Sequence, residues 1–185
     1  MPSALGRLAG AIDTVSEWTG RILAWLTLLM VLVTFFIVVM RYAFNWGRID
    51  IQESVIYMHS VVFLAGAAYT LKRDGHVRVD IFYREMGPRA RAIVDLLGTL
   101  LLLAPTMILI IWVSLDYVGR SWSLMEASPE TGGLPGVYLL KSLIIVAAVL
   151  VLLQGLSDLL RCLLVLGGHQ PPPRQPDTHL ATEEV

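Results

Sequence analysis

Four long apolar runs, at residues 22–40, 51–71, 93–115 and 137–160, dominate the chain, and its polar residues gather between them. A helix that crosses a bilayer needs roughly 20 residues at about 1.5 Å each, and each run is close to that length. Within a run the apolar residues fall on all sides of the helix instead of in one 3.6-residue stripe, as expected of a helix surrounded by lipid. A soluble bundle needs a wet face on each helix, and these runs leave almost none. The pattern predicts an all-α integral membrane protein with four transmembrane helices.

Composition supports this. Of 185 residues, 56 % are hydrophobic and 16 % charged, with mean hydropathy +0.67, whereas soluble domains carry about 25 % charged residues. A net charge of −1, with no basic stripe interleaved with aromatics, excludes nucleic acid as a partner. The single cysteine, Cys162, leaves no internal disulfide and no cysteine-based metal or redox motif.

Charge then sets an expected orientation. Ten of the fourteen lysines and arginines lie in the N-terminal arm, the middle loop and the C-terminal segment; Arg41, Arg48, Arg120 and Lys141 lie on the other side. By the positive-inside rule both termini and the middle loop are expected in the cytoplasm. The first run is too long for a signal-peptide core and ends in Arg41 and Tyr42 with no small-residue cleavage site. Before it, Ile12, Val15 and Trp18 oppose Asp13 and Glu17, a pattern suited to an amphipathic lead-in at the interface. Residues 1–168 are expected to form the membrane domain, and 169–185, rich in proline and polar residues, a disordered cytoplasmic tail.

Polar residues within the spans are costly in lipid and mark either function or helix pairing. Gln52, His59 and Gly66 share one stripe of the second helix, with Glu53 and Ser60 beside it. A hydrated relay needs partners at several depths, and the other spans offer few, so hydrogen bonding to a neighbouring helix is the expectation, with "AGAA" at 65–68 allowing close approach. Asp95 stands four residues after Arg91, the spacing of a helix-surface ion pair. Pro105 should kink the third helix. Lys141 should snorkel to the outer surface, and Asp158 inward towards Arg161. Only His59 lies in a span, which is one axial ligand too few for a bis-histidine haem, and no cofactor or metal site is expected. In "LKRDGHVRVDIF" the cations serve topology, and Asp80 is placed as the N-cap of a short interfacial helix. Gly87 closes that helix and Pro88 opens the third span.

The succession "RYAF", "QESVIYMHSVVFLAGAAYTLKRDGHVRVDIFYREMGPRARAIVDLLGTLLLL", "SWSLMEASPETGGLPGVYLLKSLI" and "LQGLSDLLR", within residues 12–166, resembles the small membrane subunit (DctQ-type) of tripartite ATP-independent periplasmic (TRAP) transporters. The resemblance implies a subunit with no catalytic residue that packs against a large sodium-coupled membrane subunit. That partner moves solute delivered by a periplasmic substrate-binding protein across the bacterial inner membrane. The positions that carry the likeness are Arg41, Glu53, His76, Arg78, Asp80, Glu126, Lys141 and Gln154, expected in structural or subunit-interface roles. The residues read alone agree that four spans without internal repeats or broken helix pairs suit a supporting subunit better than a carrier. A redox-enzyme membrane anchor and a small oligomeric carrier are the competing classes.

Overall fold

The computed structural model describes residues 4–75, 83 and 85–169. Four long helices run through them: α1 (Ala4–Phe44), α2 (Ile49–Lys72), α3 (Pro88–Ser123) and α4 (Val137–Leu166). All four are long and apolar enough to cross a membrane. The chain is thus an all-helical, multi-pass membrane protein. Helix is the form lipid demands, because no water is present to satisfy an open backbone.

The helices outrun the predicted spans. The amphipathic lead-in is not a separate element but the first turns of α1, which extends unbroken to Phe44. Pro88 stands at the first turn of α3, where its missing N–H is harmless. The kink expected at Pro105 takes the form of a π turn over Thr99–Leu103 just before it. The wider turn spares the proline ring a clash with the preceding carbonyl.

Three helix ends share one device. After α2, Asp74 (φ 58°) is left-handed, the Gly75 amide returns to Thr70 O at 2.9 Å and Asp74 N to Leu71 O at 3.1 Å. Met125 (φ 45°) and Glu126 repeat this after α3, and Gly168 (φ 76°) and His169 after α4. Each is a Schellman stop that satisfies the last orphan carbonyls.

α4 occupies the centre and packs against the other three helices, while α1 also packs on α2. α3 leans mainly on α4, leaving an open groove of about 620 Å³ between α2 and α3, floored by Ala147, Ala148 and Val151 and walled by Phe63, Ala67 and Ile110. Close approach rests on small residues: a Cβ on Gly155 of α4 would stand 2.8 Å from Leu103 in the π turn. Burial is inverted relative to a soluble protein. Trp112, Trp25 and Phe35 are 75 %, 74 % and 66 % exposed, whereas the largest fully buried side chains are Gln154, Ser121 and Ser157. The same inversion corrects the reading of the lead-in. Asp13 and Ser16 are buried against α4, and Val15 and Trp18 face outward.

Candidate functional site: polar clamps at the two ends of the bundle

At the end of the bundle where α1 begins and α4 ends, α1 presents Ala9, Asp13, Ser16 and Glu17 over about two turns. The facing stretch of α4 presents Gln154, Ser157 and Arg161, spaced by three and four so that they share one face. Ser16 donates to Gln154 Oε1 at 2.6 Å, and Gln154 Nε2 donates to Asp13 Oδ1 at 3.2 Å. The Ser157 hydroxyl reaches the same Asp13 oxygen at 2.7 Å and Ala9 O at 3.2 Å. Arg161 Nη2 donates to the other Asp13 oxygen. One carboxylate therefore gathers an amide, a hydroxyl and a guanidinium from a helix more than 140 residues away in sequence.

One turn further along α1, Glu17 holds α2. Lys72 Nζ lies 2.8 Å from Glu17 Oε2, and Arg73 Nη2 lies 3.0 Å from both carboxylate oxygens. The Arg73 guanidinium also covers the Tyr69 ring at 5.3 Å, and that ring rests on Gly20, where a Cβ would come within 2.4 Å of it. Gly20 is the gap in α1 that admits Tyr69.

At the opposite end the 124–136 loop folds over the start of α2. Glu53 accepts the Ser128 hydroxyl and, at 2.6 Å, the Leu134 amide. A Cβ on Gly133 would collide with Ser128 Oγ and Glu53 Oε2, at 2.5 and 2.8 Å, so the glycine pair in "ETGGLPG" is what lets the loop close over Glu53. Glu126 accepts the Ser121 hydroxyl at 2.6 Å and the Lys141 ammonium, which also lies 4.2 Å from the Tyr117 ring centroid. These bonds, that from Lys141 foremost and then Ser121, hold the Glu126 carboxyl below the ordinary glutamate value. Trp122 Nε1 donates to Ser142 Oγ at 2.8 Å and ties α3 to α4 beside them.

The structure sorts the residues singled out from sequence. Gln154 lies at the heart of the first clamp, and Glu53, Glu126 and Lys141 build the second. Lys141 meets the Glu126 carboxylate, a partner its expected path to the outer surface did not name. Arg161 pairs with Asp13 across the bundle. Arg41 is exposed near the end of α1. His76, Arg78 and Asp80, with the interfacial helix proposed there, lie outside the described residues, as does the tail from 170. Asp95 accepts the Tyr83 hydroxyl at 2.6 Å, and Arg91 Nε donates to Tyr83 O at 3.1 Å. Sequence reasoning missed Asp13, Ser16, Glu17 and Ser157 as clamp residues. The signal was present as two polar stripes, one on the lead-in and one late in the fourth span.

The comparisons agree with this architecture. The family model of tripartite ATP-independent periplasmic transporters, DctQ component, matches residues 30–165, and the chain belongs to that family. It is a transporter component, not an enzyme. Among curated proteins it is 29 % identical over 109 residues to the C4-dicarboxylate TRAP transporter small permease protein DctQ of Vibrio cholerae serotype O1. The match covers 59 % of this chain and 46 % of that relative, so it spans about half the relative's length. No solved structure matches.

Two predictions follow from the clamps. Asp13→Asn keeps an acceptor for Gln154 and Ser157 but removes the carboxylate charge that faces the buried Arg161 guanidinium, a loss of about 3 kcal/mol for such a site. Adding Arg161→Met should recover at least half of that loss in thermal unfolding of the purified subunit; strictly additive losses would show that the two do not act as a pair. For Glu126, a lowered folded-state pKa means its contribution is complete above the unfolded glutamate value and is lost as pH falls through the folded one. The melting temperature of the native protein should therefore drop more between pH 6 and pH 3 than that of Glu126→Gln. Parallel curves would refute the assignment.

Proposed function

We propose that this chain is the small permease subunit of a TRAP-type secondary transporter. It packs against and stabilises a large sodium-coupled membrane subunit that takes up solute from a periplasmic binding protein. The observation that carries this reading is where the polar groups go. Asp13, Gln154, Ser157 and Arg161 at one end, and Glu53, Glu126 and Lys141 at the other, tie the chain's own helices together. The groove between α2 and α3 is lined mainly by apolar side chains. Such an arrangement suits a rigid scaffold, and solute recognition falls to the other components. The membrane is the bacterial inner membrane, with both termini and the middle loop cytoplasmic, which places the Asp13 clamp at the inner surface and the Glu53–Glu126 clamp at the outer one.

Deleting the chain should lower the amount of large subunit in the membrane and abolish uptake, and the two should co-purify in detergent. Proteoliposomes holding this chain alone should take up no solute. A normal level of large subunit with unimpaired uptake after deletion would overturn the role. For topology, single cysteines in a Cys162→Ser background give the test. An impermeant reagent added from the periplasm should label position 130 and spare 75 and 175; the reverse pattern sinks the orientation.

A further inference from the structure

His59 is the eleventh of the 24 residues of α2, so it stands roughly 15 Å from the Ile49 end at the helical rise. In a hydrocarbon layer about 30 Å thick that is its middle. The side chain is exposed on the outside of the bundle. Its ring stacks on Phe63, itself 72 % exposed, at 6.2 Å, and makes no hydrogen bond among the described residues.

The contrast with its surroundings is informative. Hydroxyls along the helices fold back on their own backbone: Thr27 to Leu23 O, Thr34 to Met30 O, Ser60 to Ile56 O and Thr70 to Gly66 O, all within 2.8–3.0 Å. The His59 imidazole makes no such bond to the described backbone, and it carries both a donor and an acceptor. Leaving those groups bare in hydrocarbon costs several kilocalories per mole, so a residue of this kind at mid-depth implies a partner from outside the chain.

The shape around His59 fits that partner. His59 lies at one wall of a groove of about 480 Å³ between α1 and α2, completed by Met30, Val31, Thr34, Phe35 and Val55. Thr34 has spent its proton on Met30 O, so it offers the groove an acceptor only. Lipid tails would cover the apolar lining but carry nothing that bonds an imidazole, and bulk water does not reach this depth.

We propose that the α1–α2 groove around His59 seats a transmembrane helix of the partner subunit, which brings a hydrogen-bonding side chain to the imidazole at mid-membrane. This rests on the subunit role proposed above and adds to it the docking face and the chemistry of the contact. The opposite flank, the groove between α2 and α3, then faces lipid.

The test uses the co-expressed, affinity-purified transporter. A photo-crosslinking amino acid is placed at Val31, which is 56 % exposed in the groove, or at Trp112, which is 75 % exposed on α3 at a similar depth. Irradiation should give an adduct identified by peptide mass as the large subunit, several-fold more abundant from position 31 than from 112. His59→Leu should lower recovery of the large subunit roughly three- to twentyfold, from the average to the largest measured interhelical hydrogen bond in membranes, and His59→Gln should restore most of it. The melting temperature of the isolated small subunit should not fall appreciably in either variant, because among the described residues His59 makes no hydrogen bond and only an exposed ring contact with Phe63.

Adducts from position 31 that contain only lipid, or only a second copy of this chain, would overturn the proposal. So would full recovery with His59→Leu. If the unsubstituted small subunit retrieves the large one while position 31 stays unreactive towards it, the docking face is wrong and the subunit role stands. If it retrieves none, both fall.

Discussion

A bilayer removes the usual reason for one helix to prefer another, because lipid tails solvate leucine as well as a neighbouring helix does. Polar pairing and close shape are left to choose neighbours, and this chain uses both. Asp13 and Glu17 of α1 select α4 and α2 respectively, each through a charge-assisted contact that no lipid tail can imitate. Glu53 and Glu126 do the same at the far end. With both ends fixed, the apolar middles of the helices need only fit, and Ala147, Ala148 and Gly155 give them room. The polar cores lie towards the ends of the helices, near water and headgroups, where an unpaired charge is less costly than at mid-depth.

This division of labour separates the groups that hold the chain together from those left over for others. Ser157 and Gln154 are fully buried and committed. His59 is exposed and uncommitted among the described residues. In a soluble protein an exposed histidine would carry no message, since water serves it. The solvent, not the residue, makes the difference.

The four spans were legible because hydrocarbon thickness imposes a length and a composition that few other structures share. Their ends were less so. The opposition of Ile12, Val15 and Trp18 to Asp13 and Glu17 before the first run suggests a lead-in whose polar side seeks water, whereas Asp13 and Ser16 turn towards α4 and Val15 and Trp18 towards the outside. Lys141 and Gln154 drew notice from sequence, but their partners did not. Lys141 meets a carboxylate 15 residues away, and Gln154 meets a hydroxyl at a separation of 138. Nothing local encodes such pairings; they exist only once the helices are side by side. The π turn was half legible: Pro105 announced a disturbance, and the form it took depended on Leu103 and Thr99 seating against Gly155.

The separation between Asp13 and Arg161, 148 residues, also sets a timetable. A ribosome adding about 5–20 residues per second needs roughly 7–30 s to pass from one to the other. The Glu17–Lys72 contact spans 55 residues and is available far sooner. The residues of the α1–α2 contact are therefore all synthesised well before those of the α1–α4 contact. A chain that stops before Val137 has the α1–α2 contact but neither the central helix nor any α4 partner for Asp13. Asp13, early in α1, thus finds its partners only in the second half of α4.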